Sequence, residues 1–234
     1  PQEWDKSINP LTQVLISCRV SKYLTFSFVP NRLIYSNAIN VFALANYSDF
    51  ACLQSSIHAA FVWKHASRLK NDLRYSPTDV FRPFPRPDVT DAAALDALGK
   101  SYHELRSEVM KTTQVGLTKL YNRFHDPEDD DESLVQIRSL HKQIDENVAL
   151  AYGWDDLDLE HDFHEVDYLP ENDRVRYTVS EKARGLVLDR LTLLNKERHE
   201  VEQKVSIDAG SKAATSSRKK GNEGSNDQQK DMFS

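Results

Sequence analysis

Apolar residues recur in two rhythms along this chain, and the rhythm changes near residue 48. Before that point, Val14-Leu15-Ile16, Tyr23–Val29, Leu33–Tyr35 and Asn40–Leu44 are short runs rich in β-branched and aromatic residues. Pro30-Asn31 and Ser36-Asn37 punctuate them, so the spacing predicts a small antiparallel sheet. After it, apolar positions fall three and four residues apart, which predicts helices. Phe50, Leu53, Ile57, Ala60 and Phe61 mark one helix, capped by Ser48 with Asp49 in its first turn, ending about His65. Leu95, Leu98, Tyr102, Leu105 and Val109 mark a second, capped at Thr90-Asp91 and ending about Lys111, with Gly99 a weak point. Leu117–Phe124 predicts a short helix. Leu134, Ile137, Leu140, Ile144, Val148 and Ala151 predict a long one from Glu132 to Tyr152, stopped by Gly153. A last helix is expected from Ser180 to about Val205. The fold class predicted is α+β: a small antiparallel sheet with a packed helix, then an all-helical half. From Ser206 the chain turns to Ser, Gly, Lys, Asn, Gln and Asp, which predicts a disordered tail. The segments are therefore 1–87, 88–205 and 206–234.

Ser55–Pro87 stands out within this pattern. It holds Phe61, Trp63, Tyr75, Phe81 and Phe84, and from Lys64 to Pro87 six basic residues against Asp72 and Asp79. Pro83, Pro85 and Pro87 fix φ and remove donors, so Phe81–Pro87 is neither regular helix nor central strand. Two readings stay open: a loop packing its aromatics over a core edge, or a basic aromatic surface held for nucleic acid. Arg19 and Lys22, at a strand junction, either face phosphate or form an ordinary polar turn. His58 reads as a structural histidine, because no second His, Cys or carboxylate is spaced to complete a metal site with it.

Charge sharpens the second reading. The net charge of −6 conceals three unlike segments. Residues 1–125 carry 15 basic and 10 acidic side chains, residues 126–173 carry 2 and 17, and residues 174–234 carry 13 and 9. A polyanion should meet the first segment, with the acidic middle facing away. The chain has 234 residues and no apolar run near 18, so no membrane helix is expected. Its opening residues do not read as a secretory signal, and a start at Pro1 suggests a fragment, a processed chain or a trimmed one. Cys18 and Cys52 lack metal spacing and read as reduced thiols of a cytoplasmic protein.

Gln54-Ser55-Ser56 with His58 and Trp63, then Asn71, Arg74-Tyr75-Ser76, Phe81 and Phe84-Pro85-Arg86-Pro87, resembles the target-recognition region of bacterial DNA adenine methyltransferases. These are the large enzymes of type IIG restriction–modification and related phage-defence systems. Leu120-Tyr121-Asn122, Phe124-His125-Asp126-Pro127, Ile144-Asp145, Tyr152-Gly153-Trp154-Asp155-Asp156 and Leu193–Arg198 continue the resemblance, which covers about residues 12–202. It implies a chain that reads double-stranded DNA for a catalytic methyltransferase domain or subunit. Arg19, Lys22, Lys70 and Arg74 are the candidate phosphate contacts, with Asn71 and Tyr75 beside them.

The chemistry of methyl transfer is not visible in the chain. The seven glycines include no G-x-G for S-adenosylmethionine, and Asn9-Pro10-Leu11 lacks the second proline and the aromatic of the adenine-holding motif. Acidic clusters at Asp129–Glu132 and Asp155–Glu160 read as solvated helix ends and turns rather than cation sites. The chain alone is expected to be inactive, with S-adenosylmethionine bound in the parent or partner methyltransferase domain. The rival reading is a protein-interaction module that uses its amphipathic helices. At the C-terminus, Gln229, Asp231, Met232 and Phe233 resemble the short peptide by which bacterial replication and repair proteins grip the sliding clamp, with Lys230 where leucine is usual.

Overall fold

The first four strands are β1 (Gln13–Cys18), β2 (Val20–Ser21), β3 (Phe26–Pro30) and β4 (Ile39–Phe42). They belong to a computed structural model that describes residues 6–88 and 92–222. β1 lies between β3 and β4, antiparallel to both, with Leu15 opposite Phe28 and Phe42. Leu33–Tyr35 is not a strand. The Asn31 amide group donates to the Ile8 and Leu11 carbonyls, turning the chain outward, and Leu33 and Ile34 stand exposed in a loop.

The single helix expected from Ser48 is two: α1 (Tyr47–Gln54) and α2 (Ser56–His65). Ser55 is extended (φ −66°, ψ 155°), and its hydroxyl accepts from the His58 amide at 3.2 Å, capping α2. Asn46, not Ser48, is the N-cap of α1. The Tyr47 and Ser48 amides are taken instead by the Asp96 carboxylate at 2.9 and 3.1 Å. Two further strands, β5 (Ser67–Leu69) and β6 (Asp72–Arg74), form a hairpin that joins β2 in a sheet ordered β2-β6-β5. After a π-helical turn at Pro77–Phe81, Phe84 lies buried with its ring 4.5 Å from His58 and 5.4 Å from Phe61. The aromatic-proline segment is thus core packing in this part.

The helices that follow are α3 (Ala93–Thr113), α4 (Leu117–Phe124) and α5 (Glu132–Ala151). The cap expected at Thr90-Asp91 lies outside the described residues. Asp131 accepts from the Ser133 amide and caps α5, and Gly153 ends the run with φ 75°. An antiparallel hairpin, β7 (Asp162–Glu165) and β8 (Val175–Thr178), interrupts the half expected to be all helical. Its four-residue strands alternate Phe163, Val175 and Tyr177 with polar neighbours along the chain, too short a signal to outweigh the acidic composition around them. Helix α6 (Glu181–Asn222) begins where Ser180 accepts from the Ala183 amide, and it passes the expected end at Val205, since no proline interrupts its hydrogen-bond ladder. Among the described residues, no helix is long and apolar enough to cross a membrane.

The chain divides into compact units Pro1–Leu191 and Thr192–Ser234. In the first, polar groups wire the sheets to the helices. Gln54 closes the outer edge of β3, accepting from the Phe26 amide at 3.1 Å and donating to the Leu24 carbonyl at 3.3 Å. Arg106 on α3 is 1% exposed, and its guanidinium donates to Phe26 O, Ser27 Oγ, Gln54 Oε1 and Tyr121 Oη. Arg138 on α5 gives four hydrogen bonds to the carbonyls of Arg123, Phe124, Asp126 and Asp129, fixing the acidic turn after α4.

Candidate nucleic-acid interface

The β5–β6 hairpin is built so that one face serves the core and the other faces solvent. Successive side chains of a strand point to opposite faces. Leu73 is 1% exposed and lies opposite Arg68, so these two share the inner face. Ser67 opposite Arg74, and Leu69 opposite Asp72, share the outer face, and all four are exposed. Lys70 and Asn71 form the two-residue tip, with Lys70 in the left-handed region at φ 57°. The result is a short two-stranded ribbon whose exposed face and tip offer two cations, an amide, a carboxylate, a hydroxyl and an aliphatic group. A ribbon of this width fits the DNA major groove, where such groups distinguish base pairs.

Four of the six candidate DNA-facing residues gather here. Lys70, Asn71 and Arg74 are on the ribbon. Exposed Arg19 is beside it, because Val20 pairs with Arg74 and the Arg19 carbonyl accepts from the Tyr75 amide at 2.8 Å. Tyr75 is not among the exposed groups. It is 1% exposed, its hydroxyl meets His58 Nε2 at 3.3 Å, and its ring meets Phe26 edge-on. Lys22 is also engaged, 3.0 Å from Asp173 and 3.0 Å from Asn122 Oδ1. Sequence reasoning missed Ser67, Leu69 and Asp72, because three-residue strands with one buried apolar side chain carry no readable alternation. Nor does the whole acidic middle turn away, since Asp173 and the Tyr168 carbonyl both touch the basic segment. Gln229, Asp231, Met232 and Phe233 lie outside the described residues.

Residues 6–88 match the family model described as MmeI, target recognition domain. This segment is similar to the target recognition domain of that family. A solved structure described as the type IIL restriction-modification enzyme MmeI in complex with DNA shares the fold, with a TM-score of 0.58 and 22% identity. The likeness covers 81% of this chain, so it runs well past residue 88, and the chain spans 22% of the length of that enzyme. Comparison with curated proteins gives no match.

The motif residues that cluster in the interior are buried wiring rather than a reactive centre. Ser56, His141 and Asp145 do meet: Ser56 Oγ is 3.0 Å from His141 Nε2, and Asp145 Oδ2 is 3.5 Å from that same nitrogen. Nucleophile activation needs the base to use one ring nitrogen for the serine and the other for its carboxylate partner. Here a single nitrogen faces both, and all three residues are buried. Asp145 instead accepts from the Ser56 amide at 2.7 Å, at the positive end of α2, and meets His161 at 2.8 Å. Among the described residues, no group of three or more His, Cys, Asp and Glu could hold a metal ion.

The wiring predicts an acid-sensitive fold. Burial pushes the His58 and His103 imidazoles down to about 4 and His125 well below its ordinary value. Burial pushes the Asp145 carboxyl up, but His141, His161 and the Ser56 hydrogen bond outweigh it and hold Asp145 below the usual carboxylate range. Every one of these groups binds protons more readily when unfolded. Their contribution is complete above the unfolded values and is lost as pH falls. The melting temperature is expected to drop steadily from pH 6.5 to about 4, the window spanned by His58 and His103. A melting temperature constant across that window would show that these histidines are solvated.

Proposed function

We propose that this chain is the DNA-reading part of a site-specific adenine methyltransferase of a bacterial restriction–modification or phage-defence system, acting in the cytoplasm. The observation that carries the reading is the exposed β5–β6 ribbon with its basic tip, in a segment matched by a target-recognition model. Lys70, Arg74 and Arg19 hold the register on phosphates. Asn71, Asp72 and Ser67 supply hydrogen-bonding groups to base edges, and Leu69 can meet a thymine methyl. S-adenosylmethionine and the flipped adenine belong to the methyltransferase part of the enzyme. Gly99 and Gly185 lie within helices and Gly116 and Gly153 bound them, so these glycines do not fit a cofactor cradle.

The test is the salt dependence of binding to duplex DNA. The Lys70→Ala, Arg74→Ala double variant is expected to bind more weakly and to lower the slope of log K against log salt by about 1.8, roughly 0.9 for each phosphate that the protein no longer neutralises. Glu128→Gln with Asp130→Asn, both exposed on the acidic turn, should leave the slope unchanged. Equal slopes in the two double variants would refute the ribbon as the DNA face. Binding insensitive to salt in the parent chain would favour a protein-docking role.

A further inference from the structure

We infer that the connection between β7 and β8, residues 166–174, positions the reading ribbon, and that Tyr168 and Asp173 are therefore specificity-determining residues that need not touch DNA. This rests on the DNA-reading role proposed for the ribbon. Two strands of three residues are marginal by themselves, whereas discrimination by hydrogen bonds needs donors held to within about 0.5 Å. The ribbon must borrow its rigidity from its neighbours.

The connection grips both outer strands of the β2-β6-β5 sheet. On the β5 side, the inner-face Arg68 donates to the Tyr168 carbonyl at 2.8 Å. Its guanidinium also lies 5.6 Å from the Trp63 ring and 5.9 Å from the Tyr168 ring, and those two rings are 5.2 Å apart. Arg184 of α6 adds a second guanidinium 5.0 Å from the Tyr168 ring. On the β2 side, Lys22, which directly follows the strand, pairs with Asp173 at 3.0 Å, and Asp173 is itself held by Arg176 at 2.6 Å. Exposed pairs of this kind add little to folding stability. Two of them at opposite edges of one small sheet nevertheless fix its inclination, as two struts fix a panel. The ribbon's pitch is thus set by a loop about one hundred residues downstream, outside the segment that matches the target-recognition model.

The experiment is selection of bound duplexes from a randomised pool by the full 234-residue chain, with affinity for one fixed, mixed-sequence duplex measured in parallel. Tyr168→Ala should broaden the selected consensus at the positions that Asn71→Ala also changes. It should lower the ratio of specific to non-specific affinity about tenfold, the worth of one bidentate hydrogen-bonded base pairing. Non-specific affinity should stay within about twofold, because the phosphate-binding cations remain. Tyr168→Phe, which keeps the ring that Arg68, Trp63 and Arg184 pack against, should restore the parental consensus. Asp173→Asn, which keeps the shape of the side chain, should broaden the consensus too and serves as the second variant should Tyr168→Ala not fold. An unchanged consensus and ratio in Tyr168→Ala and Asp173→Asn, against a defined consensus for the parent, would overturn this inference alone. A parent chain that selects no consensus would overturn the DNA-reading role as well.

Discussion

Replacing Arg106 with alanine is expected to destabilise the first compact unit by about 4 kcal/mol, lowering its melting temperature by roughly 10 °C for a unit of this size. The guanidinium is almost wholly buried, and no carboxylate neutralises it among its hydrogen-bond partners. It is held by a backbone carbonyl, two hydroxyls and an amide oxygen, and it lies 5.4 and 5.6 Å from the rings of Phe50 and Tyr102. Truncation removes charged hydrogen bonds, each worth about 1.5–3 kcal/mol, and leaves the Phe26 carbonyl and Tyr121 hydroxyl facing a cavity. Water entering that cavity would recover part of the loss, which is why the figure is below the sum of the individual bonds. Arg106→Lys should recover little, because an ammonium on a single stem cannot span partners contributed by β3, α1 and α4. Urea denaturation followed by circular dichroism measures the change. A loss below about 1 kcal/mol would mean that the surrounding groups rearrange or hydrate freely.

Gly99→Ala and Gly185→Ala should move stability in opposite directions, although both glycines lie inside helices. In an exposed helix, alanine is better than glycine by about 0.8–1 kcal/mol. Gly185 meets that condition, with nothing within 4 Å of a Cβ built on it, so its substitution should stabilise the fold by most of that amount. At Gly99 the same methyl would lie 2.3 Å from the Tyr47 carbonyl oxygen and 3.2 Å from the Ala51 methyl. The obstacle is backbone at the start of α1, which cannot swing aside as a side chain would. The two helices would have to separate, and we expect a net loss of about 3 kcal/mol after the propensity gain is counted, at the upper end of overpacking effects. Thermal melts of the two single variants check the contrast. Melting temperatures shifted the same way would show that α1 and α3 do not approach so closely.

The helices are legible in the sequence because long apolar periods survive any local disturbance: Leu117–Phe124 and the run from Glu132 match their helices almost to the residue. Gly99 is legible as a weak point but not as a point of close approach, since what it touches lies about fifty residues away. The break at Ser55 is hidden, because Phe50, Leu53, Ile57 and Phe61 keep helical spacing across it while the bond that favours the break comes from distant Asp145. The candidate site is half legible. Composition locates the basic segment, and Lys70, Asn71 and Arg74 share the ribbon. It cannot tell Tyr75, which turns inward, from its exposed neighbours, nor show that Lys22 is committed to Asp173. Both facts depend on strand pairing and on partners far apart in the chain, which no local pattern encodes.

The left-handed backbone at Lys70 limits the vocabulary available at the ribbon tip. A residue there must tolerate positive φ, which glycine and asparagine do readily, aspartate less so, and β-branched residues hardly at all. Under the DNA-reading role proposed above, randomising this position would therefore sample far fewer usable side chains than at Asn71 or Asp72. Valine or isoleucine at residue 70 would alter the turn before it altered any contact made by the tip. The positions open to variation are those whose backbone is ordinary strand or turn, and the tip lysine combines its proposed phosphate contact with a place in the scaffold that carries them.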